Sequence, residues 1–283
     1  MARILVAGAT GYLGSFVVQE LVGRGHFVRA LARTPEKLDY PSGSLIEVVK
    51  GEVTRPGTLE RVCEGIEVVF SSIGITKQKD GLTFRDVDYQ GNMNLLEAAL
   101  QAGVRKFIYV SVFNGLRLRH LDIVAAHEDF VDELRATGID YAILRPTGYF
   151  SDMREFFDMA RKGRVYLIGS GDHRVNPIHG ADLAARCAEA VEGDRREIDI
   201  GGPEVMTWNE VATLAFEVEG SPAKVSHVPE WLMWSVVRLV RLFNRHQGEL
   251  MAFFTTMATE DVVAPPTGTH TLEAHYRKIA SDA

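Results

Sequence analysis

Cysteine is nearly absent: two occur in 283 residues, Cys63 and Cys187. They lie far apart, each within a helix-like pattern, so they offer neither a disulfide framework nor a CxxC metal pair. That usage suits a reducing compartment, and a cytoplasmic location is expected. Positive charge is also in deficit, with 31 Lys and Arg against 38 Asp and Glu and a formal net charge of −7. A general nucleic-acid binder would carry a basic stripe, so no nucleic-acid partner is expected. Long apolar runs are missing too. The opening MARILVAGATG is broken by glycine after a few apolar residues, and no signal peptide is expected. The most hydrophobic stretch, WLMWSVVRLVRLF (231–243), is too short to span a bilayer and contains Arg238 and Arg241. The histidines at 120, 127, 173 and 179 have no metal-ligand spacing, and no GxSxG or HExxH occurs. Metal sites and hydrolysis are therefore not expected.

What remains is an ordinary globular composition, 46% hydrophobic and 24% charged. Up to about residue 145, short β-rich runs alternate with helical patterns. Strands are expected at 2–8, 27–33, 45–51, 67–74, 106–112 and 140–146. Helices are expected at 12–25, 56–65 and 86–103 and from about 120, with a polar loop at 76–82. Near-continuous Val, Ile and Leu strands alternating with helices predict a doubly wound parallel sheet covered on both faces. Later segments are mostly helical (154–164, 182–193, 207–220), with a further strand at 197–202. The expected division is a sheet domain, 1–150, and a smaller, mostly helical lobe, 151–283, over the carboxyl edge of the sheet.

GATGYLG (8–14) stands between the first strand and first helix. Gly8 permits a tight turn, Gly11 lets the backbone approach a phosphate, and Gly14 lets the helix pack on the strand. Thr10, Tyr12 and Leu13 complete the turn, and the helix N-terminus favours a pyrophosphate. Where an acidic residue would accept from a ribose 2′-hydroxyl, the second strand ends in Ala32–Arg33–Thr34, with Lys37 a turn later. Arg33 suits a 2′-phosphate, so NADP(H) is expected over NAD(H). Glu52 and Val53 are expected along the adenine. Ser72, Ile73 and Gly74 are expected on the ribose and nicotinamide side.

Residues 231–246 carry Arg238, Arg241 and Arg245 on one helical stripe, opposite Val236, Val237, Leu239, Val240 and Phe243. This pattern reads either as a core helix with a basic edge or as an interfacial helix touching a membrane or a lipophilic substrate.

The stretches GATGYLG, KGEVTRPGTLERVCEGIEVVFSSIG, VDYQGNMNLLEAALQAGVRKFIYVSV and TGIDYAILRPTGYF resemble the atypical short-chain dehydrogenase/reductases, specifically the NmrA-like and isoflavone-reductase-like branch. A weaker likeness to divinyl chlorophyllide reductases runs through NPIHGADLA (176–184) and FFTTMATEDVVAPPTGTHTLE (253–273). The resemblance implies a Rossmann-type fold, NADPH, and hydride transfer to an unsaturated or carbonyl compound. It also admits members that bind the cofactor without turnover. In typical members a Tyr-x-x-x-Lys pair follows the fifth strand; here Ile123 takes the tyrosine position and His127 the lysine position. The usual proton donor is missing, and His127 inherits the place beside the nicotinamide ribose, as ribose ligand or general acid. Ser111 matches a serine that contacts substrate near the nicotinamide. Tyr149, just beyond Arg145–Pro146, is the substitute phenol. Asn176 is expected to stabilise a turn, and Asp182 to cap the next helix. The reading is an NADPH-dependent reductase of an apolar substrate. The alternatives are a non-catalytic NADP(H)-binding sensor or assembly factor and, third, a nucleotide-sugar epimerase.

Overall fold

The computed structural model of the chain describes residues 1–38, 40, 43–74 and 81–282. Of the expected polar loop 76–82, residues 76–80 lie outside the described residues. In chain order the elements begin β1 (Arg3–Ala7), α1 (Tyr12–Gly23), β2 (Phe27–Ala32), β3 (Ile46–Lys50) and β4 (Val68–Ser71). Next come α2 (Asn92–Gln101), β5 (Lys106–Val110), α3 (Asp122–Ala136), β6 (Asp140–Pro146) and α4 (Phe150–Arg161). They continue with β7 (Val165–Ile168), β8 (Arg174–Val175), α5 (Gly180–Glu189), β9 (Glu197–Ile200) and β10 (Met206–Thr207). The chain finishes with α6 (Trp208–Glu219), β11 (Val225–Val228), α7 (Glu230–Phe243), α8 (Arg245–Ala258) and α9 (Leu272–Ser281).

Seven strands form the expected doubly wound sheet, in the order β3-β2-β1-β4-β5-β6-β9. The order reverses between β1 and β4, and such folds bind ligands beyond the carboxyl ends of strands at that point. Ile4 to Ala7, and all of β4 and β5, are buried, as a sheet covered on both faces requires. On one face Leu5, Val69, Phe107 and Ile143 pack with Leu95, Leu96 and Ala99 of α2 and Phe130, Val131 and Leu134 of α3. Each such side chain contributes about 1.5–3 kcal/mol on burial. The α3 sequence places its apolar residues at helical spacing, with Asp122 in the first turn and Arg135 in the last, both favourable to the helix dipole.

Two departures from the sequence-based expectation concern helices. Residues 56–65 form only a 3₁₀ turn, Pro56–Thr58, followed by further turns. Thr58 explains this, because its hydroxyl bonds the Glu52 and Arg55 carbonyls and ties the segment into a loop. The expected 86–103 helix starts as a π-helical stretch, Arg85–Gly91, before α2 takes over.

The chain divides into two compact units, Met1–Arg145 with Leu183–Ile198, and Pro146–Asp182 with Asp199–Ala283. In the second, β7 pairs with β11 in parallel and β8 with β10 antiparallel. Phe157 of α4 stacks on Tyr276 of α9 at 5.3 Å, and the Tyr276 hydroxyl donates to the Met153 carbonyl. Thr207 caps α6 reciprocally with Glu210.

Candidate functional site

The glycine turn is tight. Gly8 has φ +88°, a conformation glycine alone adopts without strain, and its carbonyl accepts from the Gly11 amide at 2.9 Å. A Cβ on Gly14 would lie 2.0 Å from the Gly8 oxygen, so only glycine lets α1 come this close to β1. A Cβ on Gly11 would meet only that oxygen, at 3.2 Å. Thr10 and Gly11 are exposed, whereas Leu13 is buried, so Leu13 has only its backbone to offer a ligand. Gly11, the residue that precedes α1, has no side chain with which to cap it. An open cradle ahead of an uncapped helix fits a pyrophosphate.

Beyond β2, exposed Arg33 faces a cleft of about 260 Å³ that it lines with Lys50, Gly51, Glu52, Arg55 and Thr58. Glu52 pairs with Arg55 at 3.1 Å, so three cations face one carboxylate there. Lys50 and Arg55 escaped the sequence reading; their signal is the run VVKGEVTR, which ends the third strand and continues past it. Lys37 ends a 3₁₀ turn, Pro35–Lys37, and its side chain lies outside the described residues. Val53 is buried, and its carbonyl accepts from Asn94 at 2.8 Å.

Beyond β4, Ser72 lies against Gly8, and a Cβ on Gly8 would be 2.8 Å from its hydroxyl. Ser71 donates to the Asn92 side chain at 2.6 Å, and the Asn92 amide reaches the Ile73 and Asp88 carbonyls. Gly74 covers the His127 ring: a Cβ there would lie 3.4 Å from Nε2 and 3.2 Å from the Asp88 carboxylate. His127 is itself buried. Its Nδ1 is 2.6 Å from the Tyr109 hydroxyl and its Nε2 is 3.2 Å from Asp88. In the neutral ring, Nε2–H donates to the carboxylate and Nδ1 accepts from the phenol. Tyr109 and Asp88 are fully buried. Neither was read from the sequence, although Asp88 and Asn92 are polar residues one turn apart in the otherwise apolar inward face that includes Val87 and Leu95.

Ser111 belongs to a separate buried network. Its hydroxyl donates to Glu128 at 2.7 Å, Glu128 pairs with Arg145 at 3.0 Å, and Arg145 reaches Glu197 at 2.7 Å. Burial alone would lower the Arg145 pKa; the Glu128 and Glu197 carboxylates overcome that and raise it. The proton of Ser111 is thus committed to Glu128.

Ser111 and His127 belong to the first unit, and Tyr149 belongs to the second. Tyr149 precedes α4 and forms a parallel bridge with Ile178. Asn176 is fully buried and binds the Gly202 and Ala264 carbonyls and the Ala264 amide. Asp182 lies near the start of α5. It sits inside the first turn, and its carboxylate accepts from the Thr269 and His270 amides and pairs with the His270 ring. Among the described residues no cluster of His, Cys, Asp or Glu has the makings of a metal site.

Residues 8–194 match the family described as NAD(P)H-binding. The chain belongs to that family. It is 28% identical to the photosystem II assembly factor Ycf39 of Synechocystis, over 86% of this chain and 74% of the relative. It is 27% identical to the chloroplastic divinyl chlorophyllide a 8-vinyl-reductase of Oryza sativa, over 98% and 78%. Among solved structures it is similar to the NADPH-dependent quinone oxidoreductase QOR2 of Escherichia coli, complexed with NADPH (TM-score 0.78, 21% identity, 98% and 99% covered). The triphenylmethane reductase of Citrobacter, complexed with NADP(H), is also similar (TM-score 0.77, 20% identity, 98% and 99% covered). At these identities the two structures establish the fold alone. The atypical reductase resemblance read from the sequence agrees with all of these.

Proposed function

We propose that this NAD(P)H-binding protein is an NADPH-dependent reductase of apolar unsaturated or quinone-like compounds. The reading rests chiefly on the imidazole of His127, fixed between Tyr109 and Asp88 against Gly74 at the carboxyl end of β4. A fully buried carboxylate costs several kcal/mol to desolvate, and an apolar residue would serve packing better. Bound at the glycine turn, NADPH would supply a hydride. Arg33, with Lys50 and Arg55, would hold a 2′-phosphate, and the turn backbone a pyrophosphate. With both ring nitrogens engaged, His127 serves as a positioning residue that fixes the Gly74 segment beside the nicotinamide ribose. Protonation of the product is assigned to water. A conjugated C=C acceptor suits that arrangement, because it needs no acid placed on a carbonyl oxygen.

A non-catalytic cofactor-binding assembly factor is the second reading. The apolar, buried Ile123 at the usual tyrosine position and the likeness to Ycf39 favour it. Single-turnover oxidation of NADPH with quinones, enones and vinyl-bearing tetrapyrroles tests the choice. The reductase reading expects oxidation by at least one class. Tight NADPH binding with no oxidation by any class would refute it in favour of the assembly factor.

A further inference from the structure

The expectation for 231–246 left two placements open, and the structure distinguishes them. The helix breaks at Asn244, which caps α8, so Arg245 leaves the α7 stripe. α7 is pinned to α8 from one side. Arg241 pairs with Glu249 at 3.0 Å, and Gly248 packs so closely that a Cβ would lie 2.4 Å from the Arg241 side chain. Val237 is the buried residue of α7. The other side is apolar and exposed: Trp231 is 71% accessible, Leu239 57%, Leu242 80% and Phe243 84%, with Leu232 and Val236 beside them. Spacings of three, four and seven residues put these on one continuous stripe. This is not a core helix with a basic edge.

We propose that this stripe lies in the headgroup region of a membrane containing anionic lipids. Charge supports that occupant. From Trp231 to Gly248 there is no acidic residue, in a chain of net charge −7. Of the cations of that stretch, Arg241 is paired with Glu249 on the α8 side and Arg245 lies beyond the stripe, which leaves Arg238 at the stripe's edge; Glu230, the first residue of α7, is the helix's one carboxylate. Arg238 is exposed at the edge of the stripe, four residues before Leu242 and seven after Trp231. An aliphatic and aromatic face flanked by Trp and Arg is the composition of an interfacial helix, with the guanidinium reaching back to headgroups. Fourteen residues give a helix of about 21 Å, too short to cross a bilayer upright. A second copy of the chain is the competing occupant of so exposed a face. A two-fold contact centred on the stripe would bring Arg238 toward its own copy.

Co-sedimentation of the full chain with phosphatidylcholine vesicles, with and without phosphatidylglycerol, tests this. Binding to the anionic vesicles, weakened by salt, is expected. Leu242→Ser/Phe243→Ser should reduce it at least tenfold, and Arg238→Gln about fivefold. Both variants should keep wild-type circular dichroism and NADPH affinity, since the altered side chains are exposed. Absence of binding to anionic vesicles, or undiminished binding by the double variant, would overturn the proposal. So would a concentration-dependent dimer abolished by the same double variant, which would assign the face to a second copy.

Discussion

Replacing Gly14 by alanine should destabilise the protein, although helix propensity alone predicts the opposite. In a solvated helix interior, Gly→Ala stabilises by about 0.5–1 kcal/mol. Here the added Cβ would lie 2.0 Å from the Gly8 oxygen, 2.7 Å from the Gly8 carbonyl carbon and 3.1 Å from the Ala9 Cα. Those obstacles are backbone, so the overlap is relieved only by moving α1 away from β1. Overpacking of this kind costs about 1–3 kcal/mol or more, and it outweighs the propensity gain. Gly11→Ala meets one oxygen at 3.2 Å, which a shift of a few tenths of an ångström accommodates. Thermal unfolding without ligand should therefore show Gly14→Ala lowered by several degrees, at about 2–4 °C per kcal/mol for a domain of 150–250 residues. Gly11→Ala should unfold close to wild type. Adding NADPH reverses the emphasis: Gly11→Ala should lose most of the ligand-induced rise, because its methyl points where a pyrophosphate approaches. An unchanged midpoint for Gly14→Ala, or a full NADPH-induced rise in Gly11→Ala, would refute the reasoning.

Arg33→Ala should weaken NADPH about ten- to hundredfold, the worth of a charge-assisted hydrogen bond, and leave NADH affinity unchanged; titration of both cofactors checks this. Glu128→Leu should cost up to about 3–5 kcal/mol in urea unfolding, because it leaves the buried Arg145 guanidinium with only the more exposed Glu197 and removes the acceptor of the Ser111 hydroxyl. Stability should also fall with acid through His179, whose pKa is pushed from 6.5 down to about 4 by burial and by His270 and His275, with Asp182 opposing and Lys278 reinforcing. The unfolded chain takes up a proton that the native ring resists, so stability is complete above about pH 6.5 and declines as pH falls toward 4. His179→Gln should flatten that part of the melting-temperature profile.

Legibility followed sequence distance. The doubly wound parallel sheet came from strand–helix alternation, and the glycine turn from seven contiguous residues whose spacing carries its own geometric meaning. Lys50 and Arg55 were missed because they join Arg33 only when β3 lies beside β2. Tyr109 reads as one more apolar strand residue in KFIYV, and nothing local says that its hydroxyl meets His127. For α7, periodicity defined a face, but no periodicity can tell whether that face is covered.

His127 joins these lines of reasoning. Alignment with the family pattern gave it a lysine's place, which suggests an exposed cation reaching a ribose. Topology gives it a different surrounding: β5 brings a phenol to one nitrogen, the π-helical turn before α2 brings a carboxylate to the other, and Gly74 covers the edge. A lysine could donate to Asp88 and to the phenol oxygen but could not accept the Tyr109 proton, as the imidazole Nδ1 does. An apolar residue replaces the usual acid, and the imidazole is held by its own buried partners rather than poised to transfer a proton. If hydride transfer occurs at this site, its proton has to come from somewhere other than the Tyr-x-x-x-Lys pair, which restricts the chemistry to acceptors that tolerate protonation from water or from another phenol.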